Sequence, residues 1–323
     1  MTACIEYAYA LNGPEAGQRL EHGHLVEVLR ADQLGWVHLD ATDPQAPDWI
    51  ARNLPYLDPA VHESLTVTAT RSRATRIGDG MLVVLRGVNM NEGRDPEDMV
   101  AVRMWIDANR IVTLSRQRVR ALEDICKALE AGQGPDTAGG FLNTLADRLN
   151  ARLEPLVMEL DVETDGLETQ VIGDPDQSLR KRIVAMRLQV IEFYRHCAPQ
   201  VQALRAVEEA SPPFLAETDR LGLAETRQSL TRQVENLAEM RDSLAVLREE
   251  LSGQISDRLN RHMYFLSIIS AIFLPLGFLT GLLGINVGGM PGASSPIAFW
   301  LVCGGLSAVV LAQLAVLRRV RWL

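Results

Sequence analysis

Apolar and polar residues follow three regimes along the chain. Up to about residue 120 the apolar residues come in short runs broken by Gly, Asn, Pro and Asp. Ile5–Leu11, His24–Leu29 and Gly35–Leu39 read as short strands. Asp43–Asn53 and Asp58–Leu65 read as short helices, with Asp58 as a cap and Pro59 fitting the first turn. Thr75–Ile77, Met81–Asn89, Met99–Asp107 and Arg110–Leu114 read as further strands, with turns at Gly78-Asp79-Gly80 and Asn91-Glu92-Gly93. Val119–Glu130 has helical spacing and ends at Gly132. From Phe141 the period changes. Leu142, Leu145, Leu149, Leu153, Leu156 and Leu160 recur at three or four, one face of an amphipathic helix in which Pro155 is a candidate kink. A second helical segment runs about Gln177–Ala206 and is broken at Ser211-Pro212-Pro213.

The third regime is a long helix that becomes wholly apolar. Between Glu217 and Leu283 the single proline is Pro275. Leu230, Val234, Leu237, Leu244, Leu247, Leu251, Ile255 and Leu259 form its stripe, with charged residues on the other faces. As one helix these 67 residues reach roughly 100 Å, and such a stripe needs neighbouring helices or other chains to cover it. From Met263 to Leu317 there is no Asp, Glu, Lys, Arg or His. Met263–Leu283 and Ile297–Leu317 are each 21 residues long, enough to cross a hydrocarbon core of ~30 Å. Gly284–Pro296 between them is too rich in Gly, Pro and Ser to stay helical. The pattern predicts two transmembrane helices joined by a short loop. The expected fold is α+β: an N-terminal cytoplasmic α/β domain over 1–140, a cytoplasmic helical stalk region over 141–262 that continues into the first span, and a transmembrane hairpin over 263–323.

Charge orients the hairpin. Arg258, Arg261 and His262 precede the first span, Arg318, Arg319 and Arg321 follow the second, and the loop carries no charge. An excess of Lys and Arg marks the cytoplasmic side, which puts both termini inside and the loop outside. Trp300 and Trp322 fit interfacial anchors or packing aromatics. The first residues have no basic segment followed by an apolar core, so no cleaved signal peptide is expected and the soluble part is expected in the cytoplasm. The net charge of −9 argues against nucleic acid as a partner and suits surroundings that attract cations. Cys4, Cys126, Cys197 and Cys303 are isolated, so neither structural disulfides nor a Cys-rich zinc site is expected.

The loop carries the most informative residues. Gly284-Ile285-Asn286 ends the first span and resembles the Gly-Met-Asn signature of the CorA superfamily of divalent-cation transporters. Asn260, Met263, Pro275 in Phe273-Leu274-Pro275-Leu276, and Gly281 fall where that superfamily's long first helix has like residues. The extended run Gly284–Gly292, with Leu85-Arg86-Gly87-Val88-Asn89 and Asp95-Pro96-Glu97-Asp98-Met99-Val100 upstream, is similar to the ZntB zinc-transporter branch. The resemblance covers most of the chain. It implies a stalk helix running from cytoplasm through membrane, a ring of five copies, a bacterial cytoplasmic membrane and transport of a divalent ion, most of all Zn²⁺. Two departures stand out: Ile285 replaces Met, and the outer loop lacks the acidic residues common beside the signature.

Two helices per chain cannot enclose a water-filled path, so transport requires a ring oligomer. On the first helix Asn260, Met263, Leu266, Ser270, Leu274, Gly277 and Gly281 lie within one stripe that suits a narrow lumen with polar rings and apolar constrictions. Gly277 with Gly281, and Gly304 with Ala308, are equally small-residue pairs for helix packing. Asn286 is the candidate ligand for a hydrated ion. Ligand chemistry alone favours a hydrated hard cation, since the stripe offers Asn, Ser and carbonyl oxygens and no His or Cys. The resemblance favours zinc, passing partly hydrated. A CorA-type Mg²⁺ (or Co²⁺/Ni²⁺) channel is the alternative, and a membrane-anchored coiled-coil scaffold is a third reading. Direction of flow and protons as a coupling ion stay open.

Weaker cytoplasmic candidates are His22 and His24, on one side of the expected strand, and the acidic cluster Asp161, Glu163, Asp165 and Glu168. GxxxxGK[ST], HExxH and GxSxG are all missing, so neither enzymatic chemistry nor coupling to ATP is expected. No cofactor is expected either, the ion being cargo.

Overall fold

A computed structural model describes residues 4–30, 33–67, 71–173, 176–285, 292 and 295–319. The chain divides into two compact units, Met1–Glu249 and Glu250–Leu323. The first is built on a six-stranded sheet. Its strands are β1 (Ile5–Ala10), β2 (Gly35–Asp40), β3 (Arg73–Ile77), β4 (Gly80–Gly87), β5 (Val100–Ile106) and β6 (Arg110–Ser115), in the order β1-β2-β6-β5-β4-β3. Only β2 and β6 run parallel, Gly35 opposite Arg110 through Asp40 opposite Ser115. That pairing joins residues far apart in sequence and puts α1 (His22–Arg30), α2 (Ala46–Asn53) and α3 (Pro59–Thr66) on one face. Val37 and Leu39 of β2 and Val112 and Leu114 of β6 meet Leu25, Val28, Leu29, Trp49 and Ile50 there. The alternate positions face the other way, where Trp36 packs on Phe141 at 4.8 Å.

The opposite face is covered by α4 (Arg120–Glu130), α5 (Ala138–Gly173) and α6 (Gln177–Ala210). Pro155 lies inside α5 and does not end it. Asp58 caps α3, its side chain accepting from the Ala60 N–H, as its placement before Pro59 anticipates. Ser211, at φ 40°, ends α6 in the left-handed region just before the two prolines. Gln200 of α6 stands in for a missing strand. β3 reaches only to Val84, and beyond it Gln200 accepts from the Arg86 N–H at 2.6 Å and donates to the Arg86 carbonyl at 3.1 Å. Gly17 sits at φ +80°, and a Cβ there would press on the Leu129 carbonyl of α4.

One expectation is corrected. His24–Leu29 is not a strand but the body of α1. Leu25, Val28 and Leu29 recur at helical spacing and together form the buried face of that helix. The long helix α7 runs Glu217–Leu283 without a break, the span its lack of breakers predicts. In the second unit α7 is followed by α8 (Ala298–Arg319). Both helices are long and apolar enough to cross a membrane.

Candidate functional site

The positions that the sequence marks as candidates for the pathway lie on or just before the apolar part of α7. α8 covers one side of it, where Ile268, Ile272, Leu276 and Leu279 are partly buried. On α8 the partly buried positions are Ala298, Val302, Cys303, Leu306, Val309, Val310, Gln313, Leu314 and Leu317. At 100° per residue, Asn260, Met263, Leu266, Ser270, Leu274, Gly277 and Gly281 cluster roughly opposite the covered side. All seven are exposed in the single chain. A Cβ built on Gly277, Gly281 or Gly304 would meet nothing within 4 Å, so these glycines do not serve the contact between α7 and α8. The small-residue pairs are therefore left for a surface that the isolated chain does not cover.

Hydroxyls on this helix differ in a telling way. Ser267 donates to the Met263 carbonyl at 2.8 Å, and Thr280 to that of Leu276 at 2.9 Å. Both return to their own helix, as hydroxyls in lipid do. Ser270, on the stripe, has no hydrogen-bond partner among the described residues. Asn260 borders an open recess of about 420 Å³ with Asp257, Arg261 and Tyr264. At the other end the Gly284 N–H closes the last turn on Thr280 at 2.9 Å, and Ile285 follows, half exposed. Asn286 lies outside the described residues, as does Trp322.

The weaker candidates do not assemble. His24 is on a helix, where positions two apart point to different sides, so it shares no face with His22, whose side chain lies outside the described residues. His24 Nε2 meets Glu15 at 2.7 Å, and this hydrogen bond, with a second to Glu27, raises its pKa. Asp161, Glu163, Asp165 and Glu168 are all exposed along α5, and Glu163 pairs with Arg182 at 3.7 Å. No group of three or more His, Cys, Asp or Glu suited to a metal occurs among the described residues.

Two features escaped the sequence reading. His38 is buried beneath the sheet, its ring nitrogens 2.9 Å from Thr113 Oγ1 and 3.2 Å from Ser115 Oγ. Burial pushes its pKa down to about 4. Gln313 of α8 donates from Nε2 to the Ala271 carbonyl of α7 at 3.3 Å. Gln313 is a single amide in an apolar run, a signal that could have been noticed.

Comparison with known proteins places this arrangement. The family profile described as CorA-like Mg²⁺ transporter protein matches residues 31–319. The divalent cation transporter CmaX of Pseudomonas aeruginosa is 38% identical, over 98% of this chain and 96% of that protein. The zinc transport protein ZntB of Yersinia pseudotuberculosis is 31% identical, over 98% and 95%. The solved structure of full-length CmaX matches with a TM-score of 0.85 at 36% identity, covering 99% of this chain and 98% of that one. The CorA magnesium transporter of Methanocaldococcus jannaschii shares the fold over the whole of both chains, with a TM-score of 0.77 at 16% identity. The family profile spans nearly the whole chain, and the relatives align over both the sheet domain and the two apolar helices: the chain belongs to the CorA family of divalent-cation transporters.

Proposed function

We propose that the chain carries Zn²⁺ across the bacterial cytoplasmic membrane, as a homopentamer whose first spans line a central pore and whose termini are cytoplasmic. The observation that carries the pore is the stripe opposite α8: seven exposed positions, one of them Ser270 with an unengaged hydroxyl. In a ring each position repeats once per subunit. Asn260 would add amides at the cytoplasmic end, Ser270 hydroxyls within the membrane, and Met263, Leu266 and Leu274 apolar constrictions that a hydrated ion must wet. Gly277 and Gly281 let neighbouring helices approach near the outer mouth. Asn286 would then hold the ion's water shell through its amide oxygen. Zinc is supported by the run Gly284–Gly292 and by relatives named zinc transport proteins.

A second reading has its own support. The stripe supplies oxygen donors and no His or Cys, which suits Mg²⁺ with its waters retained. One experiment separates them: flux of Zn²⁺, Mg²⁺, Co²⁺ and Ni²⁺ into proteoliposomes, with and without a pH gradient. Zinc flux well above magnesium flux is expected. Magnesium flux above zinc overturns the zinc assignment, and a purified protein that carries none of the four overturns transport itself. A response to the gradient assigns protons as the coupling ion.

A further inference from the structure

Pro275 has no amide hydrogen, so the helix cannot donate to the carbonyl four residues earlier, that of Ala271. In hydrocarbon a released carbonyl needs another donor. Gln313 of α8 supplies it, Nε2 lying 3.3 Å from the Ala271 oxygen. Gln313 is the only side-chain amide in either span. Its Oε1 is buried with no partner among the described residues, so donation to Ala271 is the contact that accounts for an amide at this position. The repaired break lies beside the stripe: Ser270 adjoins Ala271, and Leu274 adjoins Pro275.

We propose that Gln313 is a positioning residue of transport. It ties α8 to the carbonyl that Pro275 releases and holds α7 in one conformation at its proline break, which fixes where Ser270 and Leu274 are presented. The inference rests on the transport reading above. Proline gives α7 a place to flex, and Gln313 decides how far it does.

The test is a double-mutant cycle on the full-length protein, combining Gln313→Leu with Pro275→Ala. Pro275→Ala returns the N–H that Ala271 lost, so the amide of Gln313 becomes redundant. The cycle is read as metal-ion flux in proteoliposomes and as the melting temperature of the detergent-solubilised protein. Gln313→Leu alone is expected to lower the maximal flux roughly three- to tenfold, the size of one intramembrane hydrogen bond, with the half-saturating ion concentration and oligomeric state unchanged. It should also lower the melting temperature. In the Pro275→Ala background both effects should disappear. Equal penalties in both backgrounds overturn the pairing. Coupled melting with unchanged flux leaves a purely structural contact and overturns the positioning role. A wild-type protein that carries no divalent cation sinks the transport reading by itself, and the melting cycle still decides the pairing.

Discussion

Ser270 and Ile272 stand two residues apart on α7 and face opposite sides of it: Ile272 is partly covered on the side of α8, and Ser270 is exposed with no hydrogen-bond partner among the described residues. A hydroxyl in an apolar span ordinarily returns to its own helix, as Ser267 and Thr280 do. Ser270 faces a surface that the single chain leaves open.

If that surface is the pore, Ser270→Ala removes one oxygen per subunit from the pathway. Maximal flux should fall roughly fivefold, the equivalent of one net hydrogen bond of ~1 kcal/mol. Ser270→Leu should cut it further by adding another apolar ring between Leu266 and Leu274. Ser267→Ala serves as the control, since its hydroxyl is already engaged, and should leave flux unchanged. Equal losses at the two serines would place the pathway elsewhere.

Among Gly284–Pro296, Asn286 alone carries a side-chain carbonyl, the strongest side-chain acceptor in that stretch. Asn286→Ala should leave a folded oligomer with flux abolished, because oxygens acting together around a ring exceed the ~1 kcal/mol of a single bond. Asn286→Asp should bind cations more tightly and release them more slowly. Isothermal titration and flux on the same preparations check both. Wild-type flux in Asn286→Ala would reduce the residue to a loop cap.

His38 ties stability to pH. Its pKa is about 4 in the folded protein against an ordinary value of 6.5, because burial penalises the charged ring. The folded state therefore binds fewer protons than the unfolded one between these values, and stability falls as pH drops from about 6.5 towards 4. The full loss is about 3 kcal/mol at the low end. The melting temperature of the solubilised protein should fall between pH 7 and pH 5, and His38→Gln should flatten that fall. An unchanged pH profile in the variant would show that the sheet tolerates a protonated His38.

Gly17 should not tolerate a side chain. Gly17→Ala forces an L residue to φ +80° and drives its Cβ against the Leu129 carbonyl, a backbone atom that cannot swing away. A loss of roughly 1–3 kcal/mol is expected, seen as a lower melting temperature with ion selectivity unchanged. Gly78→Ala, also at positive φ but in open space, should cost less.

The sequence by itself determined the elements whose cause is local. Two runs of 21 uncharged residues read as spans because each is apolar and long enough for a hydrocarbon core of ~30 Å. α7 extends from Glu217 to Leu283 because nothing before Pro275 breaks it, and Pro275 removes one ladder hydrogen bond without ending the helix. Asp58 before Pro59 starts α3 in both readings. The stripe from Asn260 to Gly281 was legible as a face, because periodicity fixes which residues share a side. What covers the other side was not, because periodicity names no partner. Tertiary structure decided that Ile268, Ile272 and Leu276 are partly buried, and that Gln313 reaches Ala271. It also decided that His24–Leu29 is helix, since a short apolar run fits either period until the sheet offers a face for Leu25, Val28 and Leu29. The parallel pairing of β2 with β6 and the clamp of Gln200 on Arg86 belong to the same class. Each joins residues remote in the chain, and only the folded backbone brings such groups within hydrogen-bond reach.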